Sequence, residues 1–287
     1  MTAIIWGCNG QDGQYLSKLL MAKGIEVLGV SRSKGFLQVD INNFEDVSEF
    51  VKESQPDFLF HFAADSTTNH SAWKENHETI ASGSLHLLEA VKEYSRHTKI
   101  FLSGSGLQFK NEGKPIKETD PFEGLSIYSA SRIYAVYLAR YYRTLGVRVY
   151  IGYFFNHDSP LRTERHINKK IITIAKRIAG GSKEKLPIGD INVRKEYGFA
   201  GDHAEAVWLL MQQDDIMEAV IGTGKAFSIE EWIAICFSMY GLNWKDYIVK
   251  MEDFVPEYKI LVSDPSTIFS LGWQPKITIE ELAKMMS

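Results

Sequence analysis

The chain has 287 residues, 45% of them hydrophobic and 24% charged, with a formal net charge of −4. Such a length and composition suit one large α/β domain, or one domain plus a smaller lobe, with a core that needs no cross-links. The slight acidity argues against a broad nucleic-acid-binding face, no apolar run is long enough to span a membrane, and Cys8 and Cys236 are too few for a disulfide framework or a zinc-type cluster. The eight histidines lack metal-ligand spacing, so no metal is expected. The first residues run straight into a strand without a basic, apolar leader, and a reducing cytoplasm is the simplest compartment.

In chain order, the first element is an apolar strand, Ile4-Ile5-Trp6, that ends in Gly7, Gly10 and Gly13, spaced G-x-x-G-x-x-G. A helix follows from Gln14, and a second strand at Glu26–Val30. Strand, glycine turn and helix in this order let backbone N–H groups approach a pyrophosphate at a helix N-terminus, where the partial positive charge favours an anion. The spacing differs from the usual G-x-G-x-x-G fingerprint, and glycines also mark ordinary turns; the position after the opening strand favours a dinucleotide site. Residues 35–40 read as a third strand and 43–51 as a helix. Residues 56–62, nearly all apolar, read as a fourth strand of the kind buried on both faces of a parallel sheet. A helix over 71–94, a strand over 99–103, a helix over 126–145 and a strand over 147–153 follow.

Repeated β-α units predict an α/β fold, a Rossmann-type doubly wound parallel sheet. Beyond residue 154 the alternation weakens, with helices near 165–180, 202–213 and 229–241. Residues 1–154 are therefore expected to form the dinucleotide-binding domain, with later segments returning to it. Residues 155–287 are expected to form mainly a smaller C-terminal substrate-binding lobe over the carboxyl edge of the sheet.

Tyr128 and Arg132 lie four residues apart at the start of a helix and so share a face. Ser105 lies just beyond the fifth strand. By spacing alone, Tyr128 and Arg132 could be incidental residues of an exposed helix start. With the glycine turn and the strand-end serine, the three form a proton-transfer set for a substrate alcohol or carbonyl. Ser105 would orient the oxygen, Tyr128 would move the proton, and a fixed cation would favour the phenolate. At the end of the second strand stand Ser31-Arg32-Ser33, with no acid to take a ribose 2′-hydroxyl. Arg32 therefore points to NADP rather than NAD, the alternative being a solvated loop charge.

Four segments carry a family resemblance: residues 10–16 (GQDGQYL), 155–160 (FNHDSP), 205–211 (EAVWLLM) and 271–276 (LGWQPK). The chain resembles an extended short-chain dehydrogenase/reductase, and more closely the GDP-mannose 4,6-dehydratase family over nearly its whole length. The resemblance implies a nicotinamide cofactor and a nucleotide-diphosphate sugar, favouring a GDP-sugar, with hydride removed from sugar C4 and later returned. It places Asn9, Gln11 and Asp12 of the turn and Ala63 at the cofactor, together with the three glycines, Tyr128 and Arg132. It places Asp40 at the adenine, and Asn156 and Lys169 at the nucleotide sugar. It also implies a homodimer formed through a four-helix bundle from the helices near 74–94 and 128–145, whose large apolar residues otherwise read as core.

Three positions depart from the family pattern. Arg132 replaces the lysine of Tyr-x-x-x-Lys; it keeps the charge but not the shape or the capacity to relay a proton. Ser105 and Leu107 occupy the Thr and Glu of the dehydratase Thr-x-Glu, whose carboxylate takes the C5 proton. Val255-Pro256-Glu257-Tyr258 replaces Arg-Pro-x-Glu, so an arginine expected near the nucleotide is missing. The remaining set fits a 4-ketoreductase or epimerase better than elimination of water. The alternatives are a true dehydratase that uses another base, and a catalytically weakened dinucleotide-binding regulatory or partner subunit.

Overall fold

The computed structural model describes residues 1–287. Five β-strands alternate with helices through the first half: β1 (Thr2–Trp6), α1 (Gln11–Ala22), β2 (Glu26–Val30), α2 (Phe44–Ser54), β3 (Phe58–His61), α3 (Trp73–Asn76), α4 (Gly83–Tyr94), β4 (Lys99–Ser105), α5 (Ile127–Thr144) and β5 (Arg148–Phe154). The second half carries β6 (His157–Asp158), α6 (Ile167–Ala179), β7 (Leu186–Ile188), β8 (Arg194–Glu196), β9 (Gly198–Phe199), α7 (Ala200–Leu210) and β10 (Glu218–Ile221). It ends with β11 (Ala226–Ser228), α8 (Ile229–Ser238), β12 (Ile248–Lys250), β13 (Ile260–Leu261), α9 (Ser266–Ser270) and α10 (Ile279–Met286).

The main sheet has six parallel strands in the order β10-β5-β4-β3-β1-β2. The strand order reverses between β1 and β3, the switch point where open α/β sheets bind ligands. Alternate residues of β1 face opposite layers. Ala3 and Ile5 pack with Leu16, Leu20 and Val207 under α1 and α7. Ile4 and Trp6 pack with Val47, Leu87 and Leu88 under α2 and α4, and Val136 of α5 joins the same layer. A third core, built on Ile171, Ala175, Trp232, Ile233 and Leu282, joins α6, α8 and α10.

Two expected elements differ. Residues 35–40 form no strand; only Leu37 bridges to Val30. The Gln38 amide donates to Ser31 O at 2.7 Å and Ser33 O at 3.0 Å, which curls the segment back on itself beside the edge strand. The sixth strand of the sheet is instead β10, from the second half of the chain. The long helix over 71–94 is interrupted by a π-helical turn at His77–Ser82, whose Thr79 carbonyl lies 3.1 Å from His61 Nε2. The remaining expected helices fall at 127–144, 167–179, 200–210 and 229–238. No helix is long and apolar enough to cross a membrane.

Candidate active site

The carboxyl ends of β1, β3, β4 and β5 converge on a cleft of about 310 Å³ lined by 25 residues. One wall is the glycine turn. Gly7 has φ +83°, and a Cβ there would lie 2.6 Å from Ala63 N. A Cβ on Gly13 would lie 2.5 Å from Gly7 O. These two glycines let the turn fold tightly against the end of β3. Gly10 is different: its Cβ would meet only Gly7 O, at 3.2 Å, while the residue caps α1 and lines the cleft. The bare backbone at Gly10 is thus a cradle that a side chain would fill, and it fits a pyrophosphate at the N-terminus of α1.

The second wall carries Ser105, Leu107, Tyr128 and Arg132. Ser105 ends β4; its Oγ accepts from Leu107 N at 3.2 Å, which leaves the hydroxyl proton free to donate into the cleft. Ser126 caps α5 through Ser129 N and so fixes where Tyr128 leaves the helix start. Arg132, one turn on, lies with its guanidinium carbon 5.3 Å from the Tyr128 ring centre. The guanidinium is buried and donates through Nη1 to Ser103 O and, at 2.8 Å, to Ser103 Oγ, while its Nε has no partner. Arginine's longer fork is thus caught by the end of β4. His61 lies nearby; burial first, and then the Arg132 charge, push its pKa down to about 3, so this ring is neutral.

The third wall comes from the segment after β5. Asn156 lines the cleft, its Oδ1 3.5 Å from the Tyr258 hydroxyl. Asp158 accepts from Asn168 Nδ2 at 2.6 Å and lies 3.5 Å from Arg162 Nε. Arg162 also lies 3.2 Å from His166 Nε2. Burial, and then Arg162, hold His166 down at about 4, so it is a neutral acceptor. Lys195 of β8 is only 8% exposed. Its ammonium sits 5.5 Å from the Tyr197 ring centre with no carboxylate bonded to it, and burial lowers its pKa.

The expected residues are thus unevenly distributed. Gly10, Gln11, Asp12, Ser105, Tyr128, Arg132 and Asn156 share the cleft. Gly7 and Gly13 lie behind the turn, and Ala63 backs Gly7 while Ala64 faces the cleft. Asn9 lies at the outer end of the turn and donates to Ser33 Oγ at 2.8 Å. Arg32 and Asp40 are exposed beyond it, Asp40 accepting from Asn42 N at 3.0 Å. Lys169 lies outside the cleft: it faces a groove with Lys176, and its ammonium donates to Met286 O at 2.6 Å. Its neighbour Asn168 takes the inward face of α6. His157, Arg162, His166 and Lys195 were missed. His157 sits inside the quoted F-N-H-D-S-P segment, which carried a signal; Lys195, on a three-residue strand, carried none.

A family model described as GDP-mannose 4,6 dehydratase matches residues 4–286. GDP-mannose 4,6 dehydratase 2 of Arabidopsis thaliana is 34% identical, over 99% of this chain and 85% of its own. The GDP-mannose 4,6-dehydratase of Vibrio cholerae is 28% identical, over 99% and 92%. Among solved structures, RMD from Pseudomonas aeruginosa, complexed with NADPH, has a TM-score of 0.87 at 21% identity, over 99% of this chain and 97% of its own. The dTDP-glucose 4,6-dehydratase of Bacillus anthracis, in complex with NAD, has a TM-score of 0.86 at 19% identity, over 100% and 95%. At those identities the two structures support the fold, a Rossmann-type α/β sheet. With a tight glycine turn at the switch point, and a serine and a tyrosine facing it, the chain belongs to the GDP-mannose 4,6-dehydratase family and is an NAD(P)-dependent short-chain dehydrogenase/reductase that modifies a nucleotide sugar.

Proposed function

We propose that this enzyme is NADP-dependent and reduces or epimerises at C4 of a nucleotide-diphosphate sugar, rather than eliminating water from it. One observation carries the reading: the cleft is lined by only two carboxylates, and both are engaged. Asp12 is paired with His157 at 2.7 Å, and Asp158 is held by Asn168 and Arg162. Beside Ser105 stands Leu107, partly buried against the apolar core. Elimination across C5 and C6 needs a base beside C5, and an alkyl side chain provides none.

A nicotinamide cofactor held by the glycine turn at the N-terminus of α1 would supply or accept hydride at C4. The Ser105 hydroxyl donates to the C4 oxygen and orients it. Tyr128 gives that oxygen a proton during reduction and takes it back during oxidation. Arg132, a permanent cation over the Tyr128 ring, supplies positive charge beside it and relays no proton. Lys195 and Arg162 bind the sugar diphosphate, since a buried, unpaired ammonium favours an anion arriving in the cleft. The GDP-mannose 4,6-dehydratases among its relatives favour a GDP-sugar. Arg32, exposed and unpaired beyond the glycine turn, takes the 2′-phosphate of NADP. Two copies pair through α4 and α5, where Tyr134, Tyr137 and Tyr141 are 46%, 58% and 57% exposed; a solution mass of one chain would refute the pairing.

The deciding experiment is mass spectrometry of products from GDP-, CDP-, UDP- and dTDP-sugars and their 4-keto forms. Reduced or C4-inverted sugars are expected. Efficient 4,6-dehydration of GDP-mannose would overturn the reading, and no turnover with any substrate would favour a regulatory subunit.

A further inference from the structure

Beside the glycine turn, on the wall of the cleft, lies a charge pair that the chemistry above does not use. Asp12, in the first turn of α1, places Oδ1 2.7 Å from His157 Nε2. The other ring nitrogen, Nδ1, lies 2.8 Å from Phe155 O. A carboxylate and a carbonyl can only accept, so both ring nitrogens carry hydrogen and His157 is an imidazolium. The His203 ring stacks on it, with centres 4.3 Å apart and planes inclined by 25°. His203 Nδ1 lies 3.2 Å from Phe199 O, and burial, with the charge of His157, keeps this second ring neutral. Gln11 Nε2 donates to His157 O at 3.3 Å, and Ser159 Oγ donates to Gln11 Oε1 at 2.9 Å. The first turn of α1 is therefore laced to the segment that also carries Asn156 and Arg162.

The N-terminus of α1 attracts an anion, but Asp12 puts a fixed negative charge in the same turn. Unpaired, that carboxylate would repel the cofactor pyrophosphate. We propose that His157 is a positioning residue whose imidazolium cancels Asp12, so that the first turn of α1 stays attractive to the pyrophosphate and cofactor affinity falls when the ring loses its proton. This rests on the cofactor reading above.

The groups that face the ring are Asp12 from α1, His203 from α7, and Arg162 from the loop before α6. Asp158 is turned away onto Asn168 and Arg162. Burial disfavours charge on His157, but the Asp12 carboxylate outweighs it and raises the pKa above the ordinary 6.5. Burial likewise works against the Asp12 charge, but His157 and then Arg162 bring that carboxyl down to about 2. The pair is therefore complete at mildly acid pH, and it is His157 that releases it as pH rises through its raised pKa.

The test is the dissociation constant of NADPH and of NADH for the whole protein between pH 5.5 and 9.5. Both affinities are expected to weaken, by roughly tenfold, as the ring deprotonates. A cofactor phosphate titrates near pH 6 and affects NADPH alone, so a shared loss belongs to the protein. His157→Gln should bind both dinucleotides more weakly by a similar factor, with a flat pH profile. Asp12→Asn combined with His157→Gln should recover most of the affinity, because no charge remains to repel. Flat wild-type profiles, or a double variant no better than His157→Gln, would overturn the proposal. Should the variants not fold, ¹⁵N-histidine NMR of the wild-type protein decides: a neutral His157 ring at pH 6.5 overturns it. If neither dinucleotide binds at any pH, the cofactor reading itself fails, whatever the NMR state of the ring.

Discussion

Tyr128→Phe removes one oxygen and tests the chemistry without disturbing the fold. The phenol faces the cleft, and no protein group forms a hydrogen bond to it. Arg132 is anchored by Ser103 O and Oγ, so its place does not depend on the tyrosine oxygen. The ring that packs on the guanidinium also remains. Stability should therefore change by no more than about 0.5 kcal/mol, as for substitutions that break no buried contact. General acid–base catalysis by one group is worth roughly 10²–10⁴-fold. The barrier should accordingly rise by about 2.7–5.4 kcal/mol. The assay is single-turnover reduction of a 4-keto nucleotide sugar, followed by NADPH absorbance, alongside a thermal melt and a cofactor titration. Turnover within about threefold of wild type, in a folded protein that binds cofactor normally, would refute the role of Tyr128, because the loss expected is at least tenfold greater.

Gly10→Val should fold, since its Cβ meets only Gly7 O, yet abolish dinucleotide binding by filling the cradle; normal affinity by titration would contradict the cradle. Arg32→Ala should weaken NADPH binding by about 1.5–3 kcal/mol, the range for hydrogen bonds to charged groups, and leave NADH nearly unchanged; equal loss for both would remove Arg32 from the 2′-phosphate. Glu218 joins β10 to α5, accepting from Arg140 at 3.0 and 2.8 Å, from Arg143, and from Tyr153 at 2.6 Å. Burial opposes its charge, but these partners hold its pKa at about 2 against 4.5. The stabilisation is thus present above about pH 4.5 and is lost as pH falls through 2. Glu218→Gln should cost about 3 kcal/mol at pH 7 by urea unfolding; an unchanged midpoint would show that the network stabilises nothing.

The fold was legible where one local pattern decided it. The apolar runs of β3 and β4 are buried on both faces, and no other element accommodates such runs as well. Residues 35–40 misled because their alternation resembles a strand, while the outcome depended on Gln38 folding back onto Ser31 and Ser33. β10 was not foreseen, because a four-residue strand that completes a sheet begun some two hundred residues earlier has no local signature. The site followed the same division. The glycine turn, the strand-end Ser105 and the one-turn spacing of Tyr128 and Arg132 are local, and the structure brings them to one cleft. Lys169 lies outside that cleft: alignment fixes a position on α6 but not the face it occupies, and one residue along a helix turns the side chain by about 100°. The Asp12–His157 pair spans 145 residues of sequence and exists only once the chain is folded.

That pair also bears on why a dehydratase scaffold would retain hydride chemistry while losing elimination. In the proposed chemistry, hydride exchange at C4 needs an oxygen held by Ser105 and a proton from Tyr128, both fixed by β4 and by the cap of α5. Elimination asks in addition for a carboxylate free to take a proton. Asp12 is engaged, because protonating it would leave the buried His157 imidazolium without its counter-charge. Asp158 is not free, because Asn168 and Arg162 use it to fix the inner end of α6. On the proposed reading, with Leu107 in place, both acids of the cleft are engaged in building it, and elimination is left without a base.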